Sequence, residues 1–293
     1  MKKRVFEGAG TALITPFTED GIDVPAFENI AEEQIERGVS ALIVAGTTGE
    51  APTLSEDEKE TLCRAAKEVS AGRVPVILGC GSNSTAEAVR RVSLASSWGA
   101  DAALVVTPYY NKASKEGLVR HFEEVTAASS VPVIAYNVPS RTGVDLGAET
   151  LERLVVLDGF YGIKEATGSV ARVAGLLSVF GDSLPLYSGS DEVNFPIISL
   201  GGAGAISVLS NVAPDRTAAL CLAAKERRRE GARLAARSYP LCAALFSEVN
   251  PIPVKTLMAR LGKCREIFRL PLCGMAEEKK KALFDAYDRY VSG

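Results

Sequence analysis

Short apolar runs rich in β-branched residues recur along most of the chain. Within each run the apolar positions are continuous rather than alternating, which is typical of parallel strands that are buried on both faces. We therefore predict eight strands, at residues 11–14, 41–45, 74–78, 102–106, 131–135, 160–163, 184–187 and 205–208.

Between these runs the apolar positions follow a helical period instead. Residues 24–37 carry one apolar face, and Gly38 follows them as a stop signal. Ser55 and Glu58 have the spacing of a capping box, which predicts a helix start, and another helix begins near Thr85. The pattern is a β-α unit repeated eight times.

Eight β-α units within about the first 225 residues are close to the ~250 residues typical of a (β/α)₈ TIM barrel. A doubly wound open sheet is the alternative α/β fold. The count of eight and the absence of a GxGxxG turn after the first strand favour the barrel. We predict a barrel domain at residues 1–225 and a C-terminal helical extension at residues 226–293 that packs on its flank.

Composition narrows the function classes. The chain has 293 residues, 47% of them hydrophobic and 24% charged, which are the proportions of a soluble globular protein. A formal net charge of −3 does not favour binding to nucleic acid. With one histidine and six cysteines that form no CxxC pair, we expect no metal site and a reducing compartment. No signal region or membrane-length apolar stretch is present, so we expect a cytoplasmic location.

In a barrel of this type the chemistry lies at the C-terminal ends of the strands. The motif GTTGE follows the second strand at residues 46–50. The hydroxyls of Thr47 and Thr48, with the backbone N–H groups of the turn, are suited to hold a carboxylate. An ordinary turn between a strand and a helix explains the same residues equally well.

Lys164 follows the sixth apolar run directly, so its side chain is expected inside the barrel near the catalytic end. Desolvation there favours the neutral amine, which is the nucleophile that attacks a carbonyl. The alternative is a structural lysine that pairs with Glu165 or another neighbouring acid.

Tyrosines and an arginine follow the fourth and fifth strands. Tyr136 is expected at the barrel mouth, and Arg141 offers a fork of donors that suits a carboxylate. Tyr109 and Tyr110 lie at a loop tip, where packing is the commoner role, although a hydrogen-bonded Tyr hydroxyl can relay protons. Tyr136 and Arg141 together suggest an anionic substrate.

Six motifs together resemble the dihydrodipicolinate synthase family, within the superfamily that also contains N-acetylneuraminate lyase. They occur in the family's order and cover nearly the whole chain. The motifs are GTTGE, TPYYN, YNVPSRTG, GIKEATG, SGSD at residues 188–191 and NPIPVK at residues 250–255.

The resemblance implies a role for each candidate residue. Lys164 matches the Schiff-base lysine, and Tyr136 matches the tyrosine that shuttles protons. Tyr110 matches a tyrosine that crosses a subunit interface to complete a relay with Thr48 and Tyr136, in what is usually a homotetramer. Arg141 matches the arginine that binds the carboxylate of the aldehyde.

Four residues match positions in the family's pyruvate site. Thr47 and Thr48 correspond to the residues that hold the pyruvate carboxylate. Gly189 and Ile206 correspond to positions that line the pocket.

The implied activity is a synthase that condenses pyruvate with L-aspartate-4-semialdehyde to give 4-hydroxy-tetrahydrodipicolinate, in lysine and diaminopimelate biosynthesis. The implied reaction needs no metal or organic cofactor. Two alternatives remain open. One is a pyruvate-dependent lyase or aldolase that acts on sugar 2-oxo acids, although such lyases lack the arginine of the NVPSRTG motif. The other is a catalytically silent barrel with a binding or assembly role.

The chain departs from the family pattern after GTTGE. Lysine-inhibited members have histidines in this segment, whereas this chain has Glu56 and Lys59, although Asn83, Glu87 and Tyr109 match the same regulatory pocket. We therefore predict weak or absent feedback inhibition by L-lysine.

Overall fold

Eight parallel strands close into a barrel in the computed structural model, which describes residues 4–292. The first strand pairs with the last, so the sheet has no free edge, and this closure confirms the barrel and excludes the open sheet. The strands are β1 Gly8–Ala12, β2 Ala41–Val44, β3 Val76–Gly79, β4 Ala102–Val106, β5 Val133–Asn137, β6 Phe160–Glu165, β7 Leu186–Ser188 and β8 Gly204–Ser207.

The strand bounds differ from the predicted ones mainly where polar or very small residues continue a strand. β5 and β6 extend to Asn137 and Glu165, which pair in register although neither is apolar. β1 begins at Gly8, where β8 passes so closely that a Cβ on Gly204 would lie 2.1 Å from the Gly8 carbonyl oxygen. Hydrophobic patterning detects neither kind of residue.

Twelve α-helices surround and extend the barrel within the described residues. The capping box at Ser55 and the helix start at Thr85 are both confirmed. The helices are α1 Val24–Glu36, α2 Glu56–Ser70, α3 Thr85–Ser97, α4 Lys115–Ala128, α5 Pro139–Thr142, α6 Ala148–Leu154, α7 Val170–Phe180, α8 Asn194–Ser199, α9 Pro214–Glu226, α10 Arg228–Leu245, α11 Ile252–Arg260 and α12 Glu277–Ser292.

The barrel interior is filled with side chains and is closed at the end where the strands begin. Phe6, just before β1, stacks on Tyr187 with ring centroids 4.4 Å apart. The Tyr187 hydroxyl donates to the Phe6 carbonyl at 3.0 Å. Above them Ile43, Ile134 and Ile206 belong to the same buried cluster. Small molecules are therefore expected to enter only from the opposite end.

The C-terminal helices pack against the last part of the barrel. α9 ends at Glu226, and α10 contacts α8, α9 and α12. Residues 246–251 link α10 to α11, and within this link Asn250 reaches the strand ends of the barrel. The proposed division at residues 225 and 226 stays a prediction.

Across residues 4–292, no helix combines the length and the apolar character needed to span a membrane.

Candidate active site

Lys164 is buried inside the barrel, near the end of β6. Its side chain is 6% exposed, and its Nζ lies 4.2 Å from the ring centroid of Tyr136. The register places Lys164 between Tyr136 on β5 and Tyr187 on β7. No carboxylate among the described residues lies within ion-pair distance of its amine.

The alternative that pairs Lys164 with Glu165 is excluded. Successive residues of a strand point to opposite faces, so Glu165 leaves the barrel interior. It accepts hydrogen bonds from Arg172 Nε, Asn137 Nδ2 and the Thr167 amide, each at 2.9 Å. The acid next to the lysine is therefore fully engaged outside the barrel.

The two tyrosines beside Lys164 have different environments. The Tyr187 hydroxyl contacts the backbone of Phe6 through both its N–H, at 3.3 Å, and its carbonyl, at 3.0 Å. Burial raises the pKa of Tyr187 to about 12. The Tyr136 hydroxyl has no hydrogen bond to a described residue, and Tyr136 lines the cavity described below. Tyr136 is thus the neighbour that is available to carry protons.

Gly189 provides the room that the Lys164 side chain occupies. A Cβ at this position would lie 3.0 Å from Lys164 Cε and 2.7 Å from the Ala166 Cβ, so a larger residue would displace the lysine. Ile206, on β8, is 2% exposed and belongs to the interior cluster that also contains Tyr136. Both residues therefore border the interior around Lys164.

The GTTGE turn presents polar groups at the end of β2. Its own hydrogen bonds run from the Gly49 and Glu50 amides to the Gly46 and Thr47 carbonyls, each at 3.1 Å. Neither the Thr47 nor the Thr48 amide donates to another residue in the described part of the chain. These two N–H groups are therefore available to bind an anion. An ordinary turn between a strand and a helix does not need two free amides, so this geometry favours the carboxylate-binding interpretation.

A cavity of about 320 Å³ opens at the C-terminal ends of the strands. Its lining includes Thr47, Tyr136 and Arg141. Tyr136 also contacts Lys164, so this tyrosine connects the cavity with the lysine. The volume suits a small-molecule substrate. Further lining residues include Gly46, Lys59, Gly81, Arg91, Leu104, Val106, Tyr109 and Val138.

Arg141 lies in α5, the single helical turn that follows β5. One of its terminal nitrogens donates to the Asn250 carbonyl at 3.3 Å. No acidic side chain in the described ranges forms an ion pair with it. Its remaining N–H groups can therefore receive a carboxylate in the cavity.

Tyr110, unlike Thr47, Tyr136 and Arg141, does not line the cavity. It is 89% exposed and has a backbone φ of +76°. Its neighbour Tyr109 lines the cavity instead. Tyr110 thus projects from the protein, and the described residues of its own protomer do not join it to the expected relay.

The NPIPVK motif contains two residues for which the sequence predicts no role. Within it, Asn250 Nδ2 donates to Thr48 Oγ1 at 3.0 Å, and Lys255 Nζ donates to Glu50 at 2.7 Å. The motif thus holds the GTTGE turn through two side chains. The contact between the two motifs joins residues more than 200 positions apart, so no local pattern predicts it. The only indication in the sequence is that both motifs belong to the same family pattern.

A (β/α)₈ barrel with a buried, unpaired lysine at a strand end is typical of enzymes that hold a carbonyl substrate as an imine. The chain belongs to the dihydrodipicolinate synthetase family, which matches it over residues 5–289.

Individual relatives agree with this family membership. The 4-hydroxy-tetrahydrodipicolinate synthase of Thermodesulfovibrio yellowstonii is 45% identical over 280 residues, which are 95% of this chain and 96% of that protein. A structure of dihydrodipicolinate synthase from Acinetobacter baumannii complexed with pyruvate has a TM-score of 0.96 and 39% identity, covering 97% of this chain and 99% of that one. A monomeric dihydrodipicolinate synthase variant also has a TM-score of 0.96 and 39% identity, covering 98% and 97% of the two chains.

Proposed function

We propose that the protein is a 4-hydroxy-tetrahydrodipicolinate synthase that condenses pyruvate with L-aspartate-4-semialdehyde. The observation that carries the proposal is the Lys164 amine, buried without a carboxylate partner and in contact with the Tyr136 ring. The similar structure from Acinetobacter baumannii, which is complexed with pyruvate, supports the choice of the first substrate.

The first step forms the imine. The Lys164 amine attacks the keto carbon of pyruvate, and water leaves after proton transfers for which Tyr136 is the available carrier. The Thr47 and Thr48 amides receive the pyruvate carboxylate, since neither amide has another described partner. The protonated imine supplies the electron withdrawal that the next step needs.

The second step forms the carbon–carbon bond. A proton leaves the methyl group of the imine, and the resulting enamine carbon attacks the aldehyde carbon of the second substrate. The amino group of that substrate then attacks the former keto carbon, forms the ring and expels Lys164 as the free amine. The cycle thus regenerates the nucleophile.

Arg141 is the residue we assign to the second substrate. Its guanidinium lines the cavity without a counter-charge, so a short aldehyde that carries a carboxylate would satisfy it. A neutral sugar aldehyde would leave this cation unpaired. Arg141 therefore favours the synthase over the lyases and aldolases that act on sugar acids.

We further propose that Tyr110 acts in the cavity of a second copy of the chain, in a homotetramer. Its exposed position fits a residue that crosses an interface to reach a Tyr136–Thr48–Tyr110 relay. A forced monomer is then expected to lose most of its activity. Because one similar structure is a monomeric variant, the decisive measurement is the specific activity of this chain across a dilution series monitored by sedimentation. Activity that is unchanged in the monomer contradicts the relay.

An aldehyde panel tests the substrate assignment. With pyruvate fixed, kcat/KM is expected to be highest for L-aspartate-4-semialdehyde and far lower for N-acetylmannosamine and glyceraldehyde. Arg141→Ala should lower kcat/KM for the semialdehyde by about a hundredfold, the effect of losing charge-assisted hydrogen bonds.

Arg141→Lys, which keeps the charge but loses the fork, is the matched control and should retain part of the activity. A preference for the neutral aldehydes, or an unchanged preference in Arg141→Ala, overturns the assignment. An inactive wild type that forms no imine with pyruvate would instead indicate a silent barrel.

Regulation by L-lysine is proposed to be weak or absent. Lys59 pairs with Glu56 at 3.1 Å, and Arg91 pairs with Glu87 at 2.8 Å. Both cations line the cavity, so a cationic amino acid would meet like charges and acids that are already paired. Steady-state rates should stay constant with added L-lysine. Strong inhibition at sub-millimolar L-lysine would refute the proposal.

A further inference from the structure

The last residues of β5 and β6 form a polar pair on the outer face of the barrel wall. Asn137 pairs in register with Glu165, and the preceding pair along both strands is Tyr136 with Lys164. Asn137 Nδ2 donates to Glu165 Oε2 at 2.9 Å, and both residues are buried. Successive residues of a strand point to opposite faces, so this outer pair lies directly behind the tyrosine and the lysine of the proposed site.

The outer pair belongs to a larger hydrogen-bonded network. Asn137 Nδ2 also donates to Asp145 at 2.8 Å, and Asn137 Oδ1 accepts from the Leu146 amide at 3.0 Å. Arg172, on α7, donates to Glu165 at 2.9 Å and to Asp145 at 2.8 Å. Any shift of the strand ends would break several of these bonds at once, and most of them involve a charged group. The network therefore holds β5 and β6 in one arrangement.

The polar pair interrupts a wall that is apolar up to this point. The outer positions before it on the two strands include Val133, Ala135 and Ile163, which all belong to the main core cluster. Replacing a buried polar network by apolar residues is often neutral or stabilising, so packing alone does not require this pair. Hydrogen bonds, unlike apolar contacts, fix distance and angle. The pair thus specifies the geometry of the strand ends beside Tyr136 and Lys164.

We propose that Asn137 and Glu165 are positioning residues that hold the Tyr136 ring against the Lys164 amine. This inference rests on the proposed function of Tyr136 as the proton carrier. The 4.2 Å between Lys164 Nζ and the ring centroid depends on the separation of the two strand ends, which the outer pair bridges. Neither Asn137 nor Glu165 lines the cavity. Loosening the strand ends should therefore slow proton transfer without weakening the binding of substrate.

The variant Asn137→Ala tests this role. It removes the donor to Glu165 and leaves the ion pair between Glu165 and Arg172 in place. We expect kcat to fall about tenfold, the factor that corresponds to one hydrogen bond, while KM for pyruvate changes little. The rate of borohydride trapping with pyruvate alone should fall by a similar factor. A raised KM with unchanged kcat, or unchanged kcat and trapping rates, overturns the proposal.

A double-mutant cycle with Tyr136→Phe separates positioning from a structural role. If Asn137 acts by placing the Tyr136 hydroxyl, Asn137→Ala has little further effect on kcat in the Tyr136→Phe background. Equal losses in both backgrounds would contradict the proposal. If Asn137→Ala does not fold, as judged by circular dichroism, the same cycle is run with Glu165→Gln. This change is nearly isosteric but places an amide group where three donors need a carboxylate.

Thr11→Val is the matched control at another buried polar contact of the barrel wall. Thr11, on β1, is buried and donates to Gln34 of α1 at 2.7 Å. β1 pairs with β2 and β8, so this contact does not touch β5 or β6. Urea unfolding should show a loss of stability in both Thr11→Val and Asn137→Ala, with kcat lowered only in the second. A similar fall of kcat in Thr11→Val would mean that general loosening of the barrel explains the effect, and the proposal would fail.

The trapping rate also separates this inference from the proposed function, because it requires pyruvate but no aldehyde. Wild-type turnover of pyruvate with the semialdehyde tests the function by itself. If the wild type turns over both substrates and Asn137→Ala matches it in kcat and trapping rate, only the positioning role is excluded. If the wild type traps pyruvate but does not use the semialdehyde, the substrate assignment fails, and slower trapping by Asn137→Ala would still support the positioning role.

Discussion

Lys164 and Lys255 are both buried lysines, and they are held in opposite ways. Lys255 is 0% exposed, donates to Glu50 at 2.7 Å and lies 3.9 Å above the Phe17 ring. Lys164 is 6% exposed and has no carboxylate partner in residues 4–292. A buried charge without a partner is costly, so a paired lysine indicates a structural role and an unpaired one indicates chemistry.

The structural pair joins two distant motifs. Glu50 closes the GTTGE turn and Lys255 belongs to NPIPVK in α11. The second carboxylate oxygen of Glu50 accepts from the Arg269 amide at 3.3 Å. Burial lowers the pKa of Lys255, while Glu50 opposes that shift. The pair thus holds the turn on which Thr47 and Thr48 depend, at a distance from the reacting atoms.

Replacing Lys164 by Met is the change with the largest expected effect on activity. The variant loses the nucleophile, so kcat should fall by at least about a thousandfold. The free energy of unfolding should stay unchanged or increase, because no ion pair is broken and a buried amine is removed. Assays and urea unfolding of the same preparation check both outcomes. A strongly destabilised Lys164→Met protein would remove the contrast with Lys255.

Replacing Lys255 by Met should do the reverse. Glu50 would be left as a buried, unpaired carboxylate, and the free energy of unfolding is expected to fall by about 3–5 kcal/mol. The double variant Glu50→Gln with Lys255→Met is the matched control and should recover a large part of this loss. Urea unfolding measures both. Equal stabilities of the single and double variants would show that the ion pair does not stabilise the fold.

His121 extends the comparison to a third buried base. Its side chain is 2% exposed, Nδ1 lies 3.0 Å from Thr85 Oγ1, and Nε2 has no partner in the described ranges. Burial lowers its pKa from 6.5 to about 4. The unfolded state therefore binds this proton more readily, and stability should fall as the pH drops from about 6.5 to about 4.

The expected contribution of His121 over this range is about 3 kcal/mol at most. The free energy of unfolding at pH 7 and at pH 4, compared between the wild type and His121→Gln, measures it. His121→Gln cannot take up the proton, so this variant should show a smaller pH dependence than the wild type. The same pH dependence in both proteins would contradict the conclusion that burial lowers the pKa of His121.

The two tyrosines beside Lys164 give the smallest contrast. Tyr136→Phe should lower kcat by about a hundredfold, as expected for a proton carrier. Tyr187→Phe should leave kcat nearly unchanged and lower the stability by about 1–2 kcal/mol, since it loses both hydrogen bonds to the Phe6 backbone. Kinetics and unfolding of the two variants, compared directly, provide the check. A similar loss of kcat in both variants would mean that a position next to Lys164 is sufficient for the effect, and that a hydroxyl free of hydrogen bonds is not required.

The barrel could be predicted because its strands are buried on both faces and therefore read as continuous apolar runs. The ends of β5 and β6 could not, because Asn137 and Glu165 are polar residues that pair with each other. The position of Lys164 followed from its place at a strand end. The sequence did not show whether Lys164 has an ion-pair partner. That depends on the face of the strand to which Glu165 points and on the position of Arg172.

Contacts between distant parts of the chain were beyond the sequence pattern. Asn250 and Thr48 are 202 residues apart, and no local period links them. The proposed role of Tyr110 requires a second copy of the chain, so neither the sequence nor a single protomer tests it. The family resemblance identified the motifs that contain these residues, but only the folded structure shows what Asn250 contacts.

Borohydride reduction in the presence of pyruvate, followed by peptide mass spectrometry, tests the central claim most directly. The imine should be trapped as one reduced pyruvate adduct on Lys164, with Lys255 unmodified and no adduct formed by Lys164→Met. The absence of an adduct, or an adduct on another lysine, would contradict the assignment of the unpaired buried lysine as the nucleophile.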